Sequence, residues 1–64
     1  GDITVREALE TLNEKERLVV HMKVLGEMTL QEIADALETP MGTIAWRYRE
    51  AVNKLRRLGY GEGL

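Results

Sequence analysis

The sequence predicts a small all-α domain of four helices with a C-terminal helix-turn-helix. Capping residues mark the start of each helical segment, and strand-like alternation of apolar and polar residues appears nowhere. The 64 residues are enough for one domain, taken here as 1–64. A short connection between the last two helices is typical of a helix-turn-helix, at about residues 30–49. The glycine-rich tail, 59–64, is expected to be loosely ordered.

The first two helices are each expected to begin at a capping residue that is followed three positions later by a glutamate. Thr4 with Glu7 begins the first helix, and Asn13 with Glu16 begins the second. The second helix is expected to end at Gly26, because glycine takes a left-handed C-terminal conformation most easily.

Apolar side chains cover almost the whole circumference of the second helix. Such a helix is normally buried all round, which a domain of this size can scarcely achieve. Either this helix is the central one, or part of it meets another protein. The apolar residues are Leu18, Val19, Val20, Met22, Val24 and Leu25.

The last two helices form the predicted helix-turn-helix. Thr29 with Glu32 begins a third helix of about eight residues. Thr39 is expected to cap the fourth, with Pro40 at its first position, where the missing N–H costs nothing. Gly59 ends this longer helix. An ordinary helical hairpin in a small bundle is the alternative for the same pattern.

The formal net charge of −2 conceals a difference between the two halves of the chain. Residues 1–39 carry four basic and nine acidic side chains, a net charge of −5. Residues 40–64 carry five basic and two acidic side chains, a net charge of +3. This asymmetry indicates an electrostatic partner on one side, with a solvated helix face as the alternative.

At about 100° per residue, the fourth helix has a core face and an exposed face opposite it. The predicted core face consists of Ile44, Tyr48, Ala51, Val52, Leu55 and Leu58. The exposed face holds Thr43, Trp46, Arg47, Arg49 and Lys54 as candidates for DNA contact, the last with a phosphate. Arginine pairs bidentately with guanine or phosphate, and an indole can lie against a thymine methyl group or a sugar. Burial of the tryptophan against another helix or a partner protein is the alternative. Near the start of the third helix, Thr29 and Gln31 are candidates for contact with the DNA backbone.

The composition argues against an enzyme and against a bound cofactor or metal. Cysteine and serine are absent and His21 is the only histidine, which excludes thiolate metal sites, Ser–His pairs and multi-histidine sites. No apolar run approaches the roughly 20 residues of a membrane helix, and no signal-peptide pattern opens the chain. We therefore expect a cytoplasmic protein with no membrane partner.

Over about residues 8–58 the chain resembles region 4 of bacterial sigma factors, most closely those of the extracytoplasmic-function group. The residues that carry the resemblance are Leu12, Glu14-Lys15-Glu16-Arg17, Gly26, Thr29 to Leu37, Gly42-Thr43-Ile44 and Arg47.

This resemblance implies a role in transcription initiation. It implies recognition of the promoter −35 element, docking on the flap of the RNA polymerase β subunit and masking by an anti-sigma factor. The upstream Arg17 is a further DNA contact by the same resemblance. Ala45 and Trp46 stand where the family usually has a basic residue and a serine, and Glu50 stands where it often has arginine. These departures remove two contacts with phosphate or bases and add an acidic side chain to the exposed face of the fourth helix.

Two other classes of protein fit parts of the same pattern. A LuxR-type response-regulator output domain has a similar four-helix plan and would bind DNA as a dimer. A protein-interaction domain that has lost DNA binding is supported by Ala45, Trp46 and Glu50. A DNA titration at low and high salt separates this second class from the DNA-binding ones, because phosphate contacts make affinity fall steeply with salt.

Overall fold

A computed structural model describes residues 4–59, and this part of the chain contains helices and no strand. The predicted all-α class with four helices is confirmed. The predicted loose tail lies outside the described residues, except for Gly59. The helices are α1 (Val5–Glu10), α2 (Glu14–Val20), which continues as a π-helical segment (His21–Leu25), α3 (Leu30–Ala36) and α4 (Met41–Arg57).

The first two helices begin as their capping residues predict. The Thr4 hydroxyl accepts a hydrogen bond from the Glu7 backbone N–H at 3.1 Å. At Asn13 the pairing is reciprocal: its side chain accepts from the Glu16 N–H at 2.8 Å, and its own N–H donates to the Glu16 carboxylate at 3.0 Å. Each cap satisfies backbone donors that a helix leaves free at its N-terminus.

The end of the second helix differs from the expected left-handed glycine. Gly26 has a φ of −83°, and Glu27 takes the left-handed conformation with a φ of 52°. The reason is the π-helical turn, in which the Gly26 N–H donates to the His21 carbonyl at 3.0 Å. The extra residue in this turn moves the chain reversal one position further along. Glycine is needed at position 26 for space, because a Cβ there would lie 2.7 Å from the Met22 carbonyl oxygen.

The predicted cap of the fourth helix is also wrong. Pro40 occupies the N-cap position, with no side-chain cap, and the Thr39 hydroxyl donates to the Leu37 carbonyl at 3.0 Å instead. Thr39 belongs to the reversal that ends α3, so its side chain stabilises that turn. At the other end of α4, Gly59 has a φ of 90°, as expected for the glycine that follows a helix.

The core consists of two apolar clusters on either side of the half-buried Tyr48, which packs against both. α2 supplies buried residues to both clusters, and so does α4, so these two helices form the centre of the fold. Three apolar residues of the second helix, Leu18, Val24 and Leu25, are nevertheless exposed. The first cluster is Ala8, Leu12, Val20, Ala51 and Leu55, and the second is Val19, Ile33, Ala34 and Ile44.

Candidate nucleic-acid interface

The turn between α3 and α4 is short and internally hydrogen-bonded. The Thr39 N–H donates to the Ala34 carbonyl at 2.9 Å, across a left-handed Glu38 with a φ of 51°. These bonds satisfy carbonyls at the end of α3 and set where α4 begins. Ile33 of α3 and Ile44 of α4 are both fully buried in one cluster. Turn and cluster together fix α4 against α3 as the second helix of a helix-turn-helix.

The buried face of α4 determines which of its side chains point outward. Ile44, Ala51 and Leu55 are buried, and Val52 is buried beside them. The predicted core face is therefore confirmed, and the opposite side of the helix is free for a partner. Trp46 is 55% exposed on that side.

Basic and polar side chains surround Trp46 on the exposed side. Arg49 and Asn53 are exposed, whereas Thr43 and Arg47 are half-buried. Asn53 was not predicted as a contact, but its spacing of seven residues from Trp46 places the two within about 20° on the helix. Arg56 and Arg57 extend the exposed basic surface to the end of α4. α3 carries Glu32 and Asp35 and no basic residue, so the positive charge of the motif belongs to α4.

Lys54 has a partner inside the protein. Its ammonium lies 2.8 Å from the carboxylate of Glu16, whose side chain is only 6% exposed. Burial alone would raise the pKa of Glu16, but hydrogen bonds from Lys54 and the Asn13 N–H, with the charge of Lys54, hold that pKa below its ordinary value. The predicted phosphate contact of Lys54 would require its ammonium to leave this carboxylate or to be shared with it.

Arg17 also binds within the fold. Its guanidinium donates to the carbonyls of Leu9 and Leu12, at 3.3 and 3.1 Å. These carbonyls lie at the end of α1 and just beyond it, so Arg17 joins α2 to the preceding turn. Two of its five N–H groups are used in this way. Contact of Arg17 with DNA stays a prediction.

The start of α3 holds the two remaining predicted contacts. The Thr29 hydroxyl accepts from the Glu32 N–H at 3.0 Å, and the Thr29 N–H donates to the Glu32 carboxylate at 2.8 Å. Hydrogen bonds from the backbone and the side chain of Thr29 lower the pKa of Glu32, so this carboxylate stays charged. Gln31 is exposed and donates to Asp35 at 3.0 Å. Both Thr29 and Gln31 face solvent, and their contact with phosphate stays a prediction.

Two kinds of feature are absent from the described residues, a candidate metal site and a membrane-spanning helix. Residues 4–59 hold no group of three histidine, cysteine or carboxylate side chains that could bind a metal ion. Within the same range, no helix has the length and hydropathy needed to cross a membrane.

The comparison with known families identifies a match over most of the chain. The family model described as Sigma-70, region 4 matches residues 8–57, which include all of α2, α3 and α4. This range nearly coincides with the predicted resemblance, and the family is one of DNA-binding domains. No curated protein and no solved structure matched the chain.

Proposed function

Because this chain belongs to the sigma-70 region 4 family, we propose that its α4 enters the major groove of the promoter −35 element. Membership of the family makes the chain a DNA-binding helix-turn-helix of the transcription machinery. What we propose beyond family membership is that the DNA sequence recognised by this chain is the −35 element. We further propose that it belongs to the extracytoplasmic-function group, on the motif residues from Thr29 to Ile44, and that it acts in the cytoplasm, where promoters are transcribed.

The observation that carries this proposal is the exposed face of α4. Trp46 lies in the first half of the helix, which is the part that recognition helices present to base edges, and Arg49 lies at its midpoint. Arg57, in the last turn, is exposed where the DNA backbone would pass. The guanidinium of Arg49 can pair with guanine or with a phosphate, and the half-buried Arg47 flanks it.

An affinity measurement with a matched pair of arginine variants tests this assignment. Arg49→Ala should lose about 1–3 kcal/mol of binding free energy for the preferred duplex, if the side chain contacts a base. Arg6→Ala is the control, since it removes the same charge from an exposed position on α1. Fluorescence anisotropy over a salt series would measure both. Equal losses for the two variants would contradict recognition by α4.

The isolated domain is expected to bind its duplex only weakly. A single recognition helix makes few contacts with DNA, and the neighbouring α3 carries acidic side chains that repel phosphates. We expect micromolar or poorer affinity at about 0.15 M salt, near the range of non-specific binders. Nanomolar binding by the monomer would contradict this expectation.

A second surface supports the proposed contact with RNA polymerase. Leu18, Val24 and Leu25 are 46%, 43% and 75% exposed on the second helix and its π-helical segment. Exposed apolar side chains that are close in sequence on one helix are typical of a protein contact. We propose that these residues bind the flap of the β subunit, and that an anti-sigma factor would cover them.

A pair of glutamine variants separates the two surfaces. Leu25→Gln should weaken binding to an isolated flap domain and leave DNA affinity unchanged. Trp46→Gln should weaken DNA binding and leave flap binding unchanged. Flap binding should change little with salt, because the contact is apolar. Loss of both activities in both variants, or flap binding that vanishes at high salt, would contradict separate surfaces.

The two competing classes have less support. The family match does not favour a LuxR-type output domain. A domain that binds only proteins would leave the exposed arginines of α4 without a role, and the salt series above would identify it by the absence of DNA binding.

A further inference from the structure

Trp46 is a large aromatic side chain on α4 that the fold does not use. It is the only tryptophan of the chain, it is 55% exposed, and neither apolar cluster includes it. Burial of a tryptophan is among the strongest contributions that one side chain makes to a protein contact. Its exposure at the first half of the recognition helix therefore indicates that the indole contacts whatever this helix binds.

The helix surface one turn before Trp46 is open. Gly42 lies four residues before Trp46, and a Cβ added there would meet nothing within 4 Å. With no side chain at position 42, a duplex can approach the backbone of this turn closely.

The chemistry of an indole restricts which base edge it can recognise. It has one N–H donor and no acceptor, and the rest of its surface is apolar. In the major groove all four bases present hydrogen-bonding groups, and thymine alone adds an apolar group, its 5-methyl. Covering those groups with an aromatic ring would leave them without partners, which costs free energy. Arg49 and Asn53 on the same side supply the polar contacts.

We propose that Trp46 determines specificity by packing its indole against the 5-methyl group of a thymine in the recognised duplex. This inference rests on the proposed function, because it assumes that α4 lies in the major groove. It assigns to Trp46 a preference that departs from the family pattern, in which a small polar residue usually stands at this position.

Deoxyuridine substitution tests the contact, because it removes the methyl group and leaves base pairing intact. Duplexes would first be selected from a random library with the protein, and each thymine of the selected sequence would then be replaced in turn. We expect one replacement to lower the affinity of the parent protein about 4-fold, which corresponds to one buried methyl group. Trp46→Ala should bind the thymine and deoxyuridine duplexes equally.

Arg6→Ala is the control, since it removes an exposed side chain from α1 and should keep the full sensitivity to deoxyuridine. Equal thermal unfolding of the variants and the parent would confirm that each is folded. Equal affinity of the parent for every deoxyuridine duplex, or the same sensitivity in Trp46→Ala, would overturn the inference. A selected sequence that lacks thymine would overturn it as well, while leaving the proposed function in place. Selection of no sequence at all would contradict the proposed function itself.

The fluorescence of the single tryptophan gives an independent measurement. Because all tryptophan emission comes from position 46, acrylamide quenching reports the exposure of this ring alone. We expect the selected duplex to reduce acrylamide quenching, because the ring is more than half exposed in the free protein and would be covered by the DNA in the complex. Unchanged quenching in the saturated complex would show that the indole does not touch the DNA and would overturn the inference.

Discussion

At the scale of single residues, the groups that surround a side chain in the fold determine which partners it can still bind. Arg17 and Arg49 are the same residue type, and both were predicted to bind DNA. The Arg17 guanidinium binds two backbone carbonyls near the end of α1, whereas Arg49 is exposed on α4. Residue type and charge identify the possible contacts of an arginine, but only its surroundings show which donors remain for a partner.

Gly42 provides a prediction at this scale. It occupies a helical position of α4 with free space around its Cα, so Gly42→Ala meets no steric conflict. The alanine should raise the free energy of unfolding by about 0.5–1 kcal/mol, because glycine loses more backbone entropy in a helix. It should also weaken DNA binding, because the added methyl lies where the duplex approaches. Urea unfolding and anisotropy would measure the two effects, and a variant with unchanged DNA affinity would contradict a close approach at this turn.

At the scale of helices, capping patterns are reliable where the interaction is local. Asn13 and Thr29 each form a reciprocal pair with the glutamate three residues later. Such pairs depend only on residues within one turn, so the sequence contains all the information that they need. The second helix ends at Gly26 as predicted, but the conformation of Gly26 and the cap of α4 at Thr39 depend on how the chain reverses toward the next helix, and these two predictions were wrong.

The π-helical segment gives a prediction at the helix scale. Gly26→Ala would place a Cβ 2.7 Å from the Met22 carbonyl oxygen, a backbone atom that cannot move independently. We expect a loss of roughly 1–3 kcal/mol in the free energy of unfolding, as for other steric conflicts with backbone. The same substitution at Gly42 is the control, and it should have the opposite sign. Equal urea midpoints for Gly26→Ala and the parent would show that the segment relaxes without cost.

At the scale of the whole molecule, one ion pair connects the two central helices. Glu16 of α2 and Lys54 of α4 are separated by 38 residues, and the carboxylate is nearly buried. Glu16 also belongs to the capping box of α2, so one side chain fixes both the start of α2 and its attachment to α4. Loss of Lys54 would leave a largely buried charge with one partner fewer, which destabilises a fold.

The pH dependence of stability tests this pair. The pKa of Glu16 is lowered in the folded state, so its contribution is present above the ordinary pKa of a glutamate and is lost as the pH falls through the lowered value. Glu16→Gln should therefore cost about 0.5–1 kcal/mol near pH 7, a modest value because the Lys54 side chain is 38% exposed. The difference from the parent should disappear once the pH has fallen below the lowered pKa of Glu16. A difference that stays constant with pH would contradict a charged pair.

The same pair separates two roles for Lys54. If its ammonium contacts a DNA phosphate, Lys54→Gln should reduce the dependence of log affinity on log salt by about one unit. If it serves only Glu16, the variant should lose stability and keep the salt dependence of the parent. The salt dependence of Arg57→Gln, a substitution of an exposed residue at the end of the same helix, provides the comparison for that of Lys54→Gln.

The sequence by itself determined the all-α class, three helix N-caps of which two are reciprocal, the buried face of α4 and the family motifs. These features depend on periodicity and on residues that are close along the chain, so no knowledge of packing was needed. Only the tertiary structure decided that Lys54 and Arg17 bind within the protein, that the second helix turns π-helical before Gly26, and that Trp46 remains exposed. The physical reason is that these outcomes depend on how helices and the turns between them pack against one another, which residue type and helical periodicity do not specify.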